Sequence, residues 1–446
     1  MVRAAYLCRH IYLTMTEEFA PTRYRLQSQA TGSMFDDTGW LLDPAGEQQP
    51  SLLRAVYEST TLNLRDKQNG LYIFADWLPI SRMLRGSSPP VTWHSKALGA
   101  QLGLAELYIT FSGWWPERNA FMRTCSFKET EAYVVGGRLT GNSSEGVLVV
   151  ASAGNTARSF AQVCSDNNIP LLLCVPHDNI DALWFDGELN PCVKLICTPE
   201  SSDYFDAIHL SNIIAGMDGF FPEGGARNVA RRDGMGTTFL AASTHIGSIP
   251  EYYFQAVGSG TGAIAAWEAN LRLIADGRFG ANKARLMVSQ NEPFLPIYHA
   301  WQAKSRQIPS ADDDVMRRHA AQIMAAVLSN RKPPYSLAGG LYDALLDTDG
   351  EVLSISNDEA FAASALFEKL EGTDIHPAAA VAVASLIKAV NQGMVNPDAT
   401  IMLNITGGGE KRFKAERKLY YLKPDLIISP AEGESNITRK ISSLKW

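Results

Sequence analysis

One lysine and three corners rich in glycine or small residues stand in a fixed order along the chain, and together they could hold an anionic ligand beside an amine. The lysine is Lys128, in Arg123-Thr124-Cys125-Ser126-Phe127-Lys128-Glu129. By itself a lysine is ordinarily a solvated surface charge. The first corner downstream is Ser152-Ala153-Gly154-Asn155-Thr156. Small residues let the backbone approach a ligand closely, and a helix beginning here offers free N–H groups to an anion. Asn155 adds an amide able to reach a ring oxygen or a carboxylate. In the plainer reading Ser152 or Thr156 only caps the helix. The second corner is Gly258-Ser259-Gly260-Thr261-Gly262, a loop of the kind that cradles a phosphate with backbone N–H groups and the positive end of a helix. With Ala263 it also satisfies Gly-x-Gly-x-x-Ala, but a dinucleotide site wants an acidic residue about 20 positions on, at the end of the next strand. That strand ends in Ser289-Gln290-Asn291, and Glu292 comes too late, so a phosphate fits better than a nicotinamide dinucleotide. The third corner is Asn404-Ile405-Thr406-Gly407-Gly408-Gly409. Three glycines after a strand are costly in chain entropy unless close backbone approach is needed, although a structural turn explains them equally.

The elements that must position these groups read as α/β. Strand-like runs at Leu107–Phe111, Val147–Ala151, Leu171–Val175, Val193–Cys197, Phe254–Val257, Arg285–Ser289 and Ile401–Ile405 alternate with helical patterns. The helices are expected at 94–102, 156–167, 207–215, 263–275, 314–329 and 376–392. In the fourth, Ile264, Trp267, Leu271 and Ile274 recur at helical spacing. Such alternation predicts parallel sheets covered on both faces. Each corner then falls where a strand hands over to a helix. The chain divides into an N-terminal extension at 1–84 with no evident chemistry, a smaller α/β domain at 85–240 and a larger one at 241–446.

Composition bounds what these corners can serve. The 446 residues are 46% hydrophobic and 20% charged, enough for two packed domains and nothing like a disordered chain. A net charge of −7 argues against general nucleic-acid binding, so an anionic ligand must be attracted by local groups. The six cysteines (Cys8, Cys125, Cys164, Cys174, Cys192, Cys197) form no Cys-x-x-Cys and no Cys/His cluster with zinc spacing, so no metal site is expected. No apolar run reaches the length of a membrane span, and the first residues make a poor signal peptide. A cytoplasmic enzyme is the expectation.

The ordered set Ser-Phe-Lys, Ser-Ala-Gly-Asn, glycine loop, Thr-Gly-Gly-Gly resembles the fold-type II pyridoxal-phosphate (PLP) enzymes, the tryptophan-synthase β-subunit group that includes threonine synthase and O-acetylserine sulfhydrylase. The resemblance spans residues 70–410. Its order from Trp77-Leu78-Pro79 through Leu102–Tyr108 to Ser126-Phe127-Lys128 follows threonine synthase. The phrases Trp115-Pro116-Glu117-Arg118, Phe121–Glu129, Pro222–Thr237 and Tyr253–Gly262 are similar instead to the related cysteate synthases, whose reaction joins O-phosphoserine and sulfite into cysteate and phosphate on a route to coenzyme M. One departure is that the cysteine-rich N-terminal segment of that family is reduced here to Cys8.

The resemblance implies a PLP-dependent lyase or synthase with two α/β domains, the cofactor in the cleft between them, and a homodimer as the assembly. Lys128 would carry PLP as a Schiff base and serve as the base for the substrate Cα proton. O-phosphoserine would pass through an aminoacrylate to which sulfite adds. Asn155 would bond the ring hydroxyl, Gly258, Ser259, Gly260, Thr261 and Gly262 the cofactor phosphate, and Thr406 the pyridine nitrogen. Ser152, Ala153 and Thr156 would bind the substrate carboxylate. Arg118, Arg123, Arg227, Arg231 and Arg232 are candidates for the substrate phosphate and for sulfite, since a guanidinium matches such anions bidentately. Each could equally serve a structural or surface ion pair, and about two of the five are expected to touch substrate. Alternatives are threonine synthase acting on O-phosphohomoserine and water, a sulfhydrylase-like enzyme, and a PLP-binding protein without turnover.

Overall fold

The computed structural model describes residues 19–38, 40–141, 146–152, 154–200, 202 and 204–446. Ala153 and Cys8 lie outside the described residues. Two parallel sheets dominate. The larger has six strands in the order Glu351–Ile355, Arg285–Asn291, Tyr252–Ala256, Thr400–Ile405, Glu106–Phe111, Val91–His94. All pair parallel except the last, which runs antiparallel to Glu106–Phe111. The smaller has five parallel strands, ordered Phe220–Pro222, Val147–Ala151, Leu171–Pro176, Val193–Thr198, Leu426–Ile427.

Both sheets are buried on two faces, which is why their strands are apolar runs and do not alternate with polar residues. In Val147–Ala151, Leu148 and Val150 pack with Phe160 on one side, while Val147 and Val149 pack with Leu210 and Ile214 on the other. In the larger sheet Tyr253, Leu286 and Val288 join the core containing Ile264. Phe254, Met287, Ile401 and Leu403 face the opposite core, with Val381 and Leu386 of helix Pro377–Asn391.

Sheet membership crosses the division at 84 and 240 in both directions. Strands Val91–His94 and Glu106–Phe111 fall within the stretch 85–240 yet belong to the larger sheet, and Leu426–Ile427 returns from the C-terminal half to the smaller one. The chain therefore passes between the sheets around Lys128 and again after the third corner. These crossings are also where the chemistry is expected.

The segment Val229–Ile246, which carries the candidate residues Arg231 and Arg232, is an 18-residue helix buried at the centre of the molecule. Its glycines serve helix packing. A Cβ on Gly234 would strike the carbonyl of Thr130 in helix Lys128–Arg138, and one on Gly236 would lie 3.2 Å from the carbonyl of Ala265 in helix Thr261–Asp276. The central helix is thus wedged between the helix that begins with the lysine and the helix that follows the glycine loop. The N-terminal extension forms a three-stranded antiparallel sheet, Tyr24–Ser28, Met34–Phe35 and Leu53–Tyr57. It docks on the central helix through buried charge, Arg232 donating to the carbonyl of Leu53 and Tyr57 Oη to Asp233 at 2.5 Å.

No helix among the described residues is long and apolar enough to cross a membrane. The five described cysteines are free thiols, and among the described residues no group of three or more His, Cys, Asp or Glu is placed to hold a metal ion.

Candidate active site

Lys128 is the first residue of its helix, directly after the crossing between sheets. The loop before it is stitched to the third corner by backbone. Phe127 N–H donates to the Thr406 carbonyl at 2.9 Å, Gly408 N–H donates to the Cys125 carbonyl at 3.1 Å, and Ser126 pairs with Gly407. Side chains at these glycines would collide with Cys125, with His376 or with the Asp374 carbonyl. The run of glycines therefore serves close backbone approach. Thr406 is buried at this seam.

The lysine amine is half-buried, with Nζ 3.2 Å from Oε2 of Glu131. Burial and the charge of Arg231 hold the amine below its ordinary pKa, against the upward pull of Glu131 and Glu223. That direction favours a neutral amine, the form that acts as nucleophile and base.

The first corner leads into helix Asn155–Asp166. Ser152 is buried, and its Oγ accepts from Gly154 N–H at 3.2 Å. The amide of Asn155 is oriented from behind, because its Oδ1 accepts from Arg158 Nη2 at 2.8 Å. Arg158 also donates to the carbonyls of Thr124 at 2.9 Å and Ala182 at 2.9 Å, and stacks on Trp184. It thereby ties the first corner to the loop that precedes Lys128. Thr156 Oγ1 lies 3.4 Å from Arg231 Nη2.

The second corner opens helix Thr261–Asp276, whose first-turn N–H groups have no acceptor within the helix. Gly260 sits at φ +78°, a left-handed conformation that strains any other residue, and a Cβ there would lie 2.6 Å from Leu341. Gly258 lies beneath Leu328, where a Cβ would come within 2.9 Å of backbone. Ser259 Oγ and Thr261 Oγ1 bond at 2.8 Å. These residues fit a phosphate: glycine backbone, two hydroxyls and the head of a sixteen-residue helix.

A cavity of about 480 Å³ lies between Asn155 of the first corner and the start of helix Glu410–Ala415, which follows the third. Asn155 and Arg158 line it from the smaller domain, Met324 to Val327 from the segment above the glycine loop, and His376 and Glu410 from beside the third corner. Sequence reasoning missed Arg158, His376 and Glu410. Glu410 lies 2.8 Å from His376 Nε2, 2.6 Å from Lys414 Nζ and 3.6 Å from Arg158 Nη2. Despite burial, the His376 hydrogen bond and the charges of Arg158 and the Lys414 pair hold its carboxyl below the usual range. Only the Asn155-x-x-Arg158 spacing, one helical turn, could have pointed to the arginine.

The five predicted arginines are dispersed. Arg232 is wholly buried, bonded to Glu268 at 3.0 Å and to the carbonyls of Ala226 and Leu53, and cannot meet a substrate. Arg123 is held by Asp166 and Asp186. Arg227 forms an exposed pair with Asp43 at 3.1 Å. Arg118 is stacked between Trp93 and Trp115. Arg231 alone adjoins the lysine, but its guanidinium is occupied by Glu131 and Glu223. Sequence cannot disclose which carboxylate a distant strand or helix will bring to an arginine.

Comparison with known proteins gives the family and the fold. Residues 98–407 match the family described as "Pyridoxal-phosphate dependent enzyme". The cysteate synthase of Methanosarcina acetivorans is 50% identical over 384 residues, covering 86% of this chain and 92% of that protein. That of Methanospirillum hungatei is 43% identical over 420 residues, covering 94% and 98%. Among solved structures, maize serine racemase superposes with a TM-score of 0.54 at 13% identity, covering 72% of this chain and 89% of that one. The processed form of threonine deaminase isoform 2 from Solanum lycopersicum gives 0.51 at 15%, covering 73% and 87%. At such identities the structures speak for the fold alone.

Proposed function

The chain belongs to the cysteate synthases within the pyridoxal-phosphate-dependent enzymes, and from that premise we propose that it converts O-phosphoserine and sulfite into cysteate and phosphate at the site built from Lys128 and the three corners. The observation that carries the reading is Lys128, an amine depressed by burial and tied through Phe127 to the third corner.

The residues present fit pyridoxal phosphate. The loop Gly258–Gly262 with its helix would hold the phosphate, Asn155 the ring hydroxyl and Thr406 the ring nitrogen. When bound, the cofactor supplies a sink for the electron pair left at the substrate Cα once its proton is removed. The protein does the rest. Lys128 Nζ takes the Cα proton and later returns it. Ser152, Thr156 and the N-terminus of helix Asn155–Asp166 bind the substrate carboxylate. Arg158 fixes the Asn155 amide with its nitrogen free to donate. Lys411 and Lys414, at the cavity edge, draw the departing phosphate and the incoming sulfite. Segment Met324–Leu328 covers the glycine loop and limits water, which would otherwise compete with sulfite.

The same reading assigns the protein to the cytoplasm, as a homodimer, on a route to coenzyme M. The test is mass spectrometry of products from O-phosphoserine offered with sulfite, sulfide or water. Cysteate from the sulfite reaction is expected. Faster turnover of O-phosphohomoserine, with threonine as product, would return the chain to threonine synthase chemistry.

A further inference from the structure

The lysine amine has a built-in partner. Glu131 stands one turn along the same helix, fully buried, with Oε2 3.2 Å from Lys128 Nζ. Arg231 grips that carboxylate from the central helix, Nε to Oε2 at 3.1 Å and Nη2 to Oε1 at 2.9 Å. The other end of the guanidinium reaches Glu223 at 2.6 Å. One carboxylate oxygen is therefore shared by two cations, of which one is permanent and the other must gain and lose a proton if it is to act.

We propose that Glu131 is a positioning residue for Lys128, holding the amine in place and supplying the negative charge against which it takes up and releases a proton, with Arg231 as the anchor of Glu131. The proposal rests on Lys128 being the cofactor-bearing lysine, and it names what sets that lysine's basicity. A solvated surface pair of this spacing is weak. Glu131 has no solvent exposure, so its charge acts on the amine with little screening.

The groups facing the amine come from every packed element. Glu131 is on its own helix, Arg231 on the central helix, and Glu223 in the turn before that helix. Tyr204, from helix Tyr204–Ala215, acts on Arg231, Glu223 and Glu131. The ring of Phe127 lies 4.8 Å from Nζ. Burial and Arg231 push the amine down, and Glu131 and Glu223 pull it up. Two cations face two carboxylates, and Glu131→Gln leaves both cations against one. The proton on the lysine nitrogen is then held more weakly.

The test uses the full-length holoenzyme, titrating the visible band of the cofactor with pH in the absence of substrate, alongside kcat. Glu131→Gln is expected to keep the band but to move its titration down by about one unit or more, a tenfold weaker hold on the proton. Its kcat at neutral pH should fall by about tenfold or more. Glu131→Asp, with the charge kept at shorter reach, should fall between that variant and the wild type. A Glu131→Gln band that titrates with the wild type, with kcat unchanged, overturns the proposal and leaves Glu131 a packing element. If Glu131→Gln does not retain the cofactor, Glu131→Asp decides: an intermediate shift supports the proposal, and wild-type titration with wild-type kcat overturns it. The band needs no substrate, so a wild type that fails to make cysteate would refute the proposed reaction while leaving this test readable.

Discussion

Arg232 and Glu268 face each other at 3.0 Å with no exposure on either side chain, and the remaining guanidinium nitrogens donate to the carbonyls of Ala226 and Leu53. Arg232→Ala removes one partner of this buried pair. Glu268 would keep Arg54 at 3.4 Å, so its charge is not stranded, but two buried carbonyls lose their donors. Each carbonyl left unsatisfied costs about 1–3 kcal/mol, so the two together cost about 2–6 kcal/mol. That is a large part of the roughly 5–15 kcal/mol by which a domain is stable. Equilibrium urea unfolding followed by tryptophan fluorescence should show the loss. Because Arg232 also ties the N-terminal sheet to the central helix, proteolysis near residues 24–57 should accelerate. In conditions where the variant stays folded, kcat/KM should change by less than about threefold, equally for O-phosphoserine and O-acetylserine. Wild-type stability with a tenfold to hundredfold loss confined to O-phosphoserine would refute this reasoning. Arg232 would then contact the substrate phosphate after all.

Three further outcomes follow from the geometry. Glu129 is buried beside the backbone N–H of Thr124, and burial pushes its carboxyl up to about 7. A raised carboxyl stabilises the fold below its unfolded pKa, and that contribution is lost as pH rises through about 7. Glu129→Gln should therefore gain on the wild type in thermal melts at pH 8.5, by up to about 3 kcal/mol, and show no gain at pH 4. An equal effect at both values would contradict the assignment. Gly260→Val places a branched side chain at φ +78° against Leu341, and should weaken PLP binding by tenfold or more in equilibrium dialysis, with no saturable NAD binding in either protein. Arg158→Lys cannot reproduce the planar donation to Asn155, Thr124 and Ala182. Its cofactor affinity should fall about tenfold, and wild-type affinity would show that Asn155 needs no such support.

What the sequence disclosed was local. Each corner is a strand ending in residues whose smallness has a purpose within a few positions, so Gly258–Gly262 and Thr406–Gly409 could be read without their neighbours. The same logic does not extend to Arg231-Arg232-Asp233-Gly234-Met235-Gly236, where the glycines admit another helix and the arginines offered for substrate anions are held by buried carboxylates. Gly234 meets the Thr130 carbonyl of a helix about a hundred residues away, and only the fold reveals it. The pairing of Thr400–Ile405 with Glu106–Phe111 is likewise non-local, which hid the interleaving of the two sheets. Arg158 and Glu410 meet at the cavity from elements far apart in sequence, and neither has a local signal beyond the spacing of Asn155 and Arg158.

The central claim is that Lys128 is the residue on which the cofactor works. Borohydride reduction of the holoenzyme, followed by peptide mass spectrometry, tests it directly. The adduct is expected on the peptide containing Lys128 and nowhere else. Lys128→Ala should fold, lose the visible band and make no cysteate from O-phosphoserine and sulfite. An adduct on another lysine, or cysteate formation by Lys128→Ala, would contradict the account.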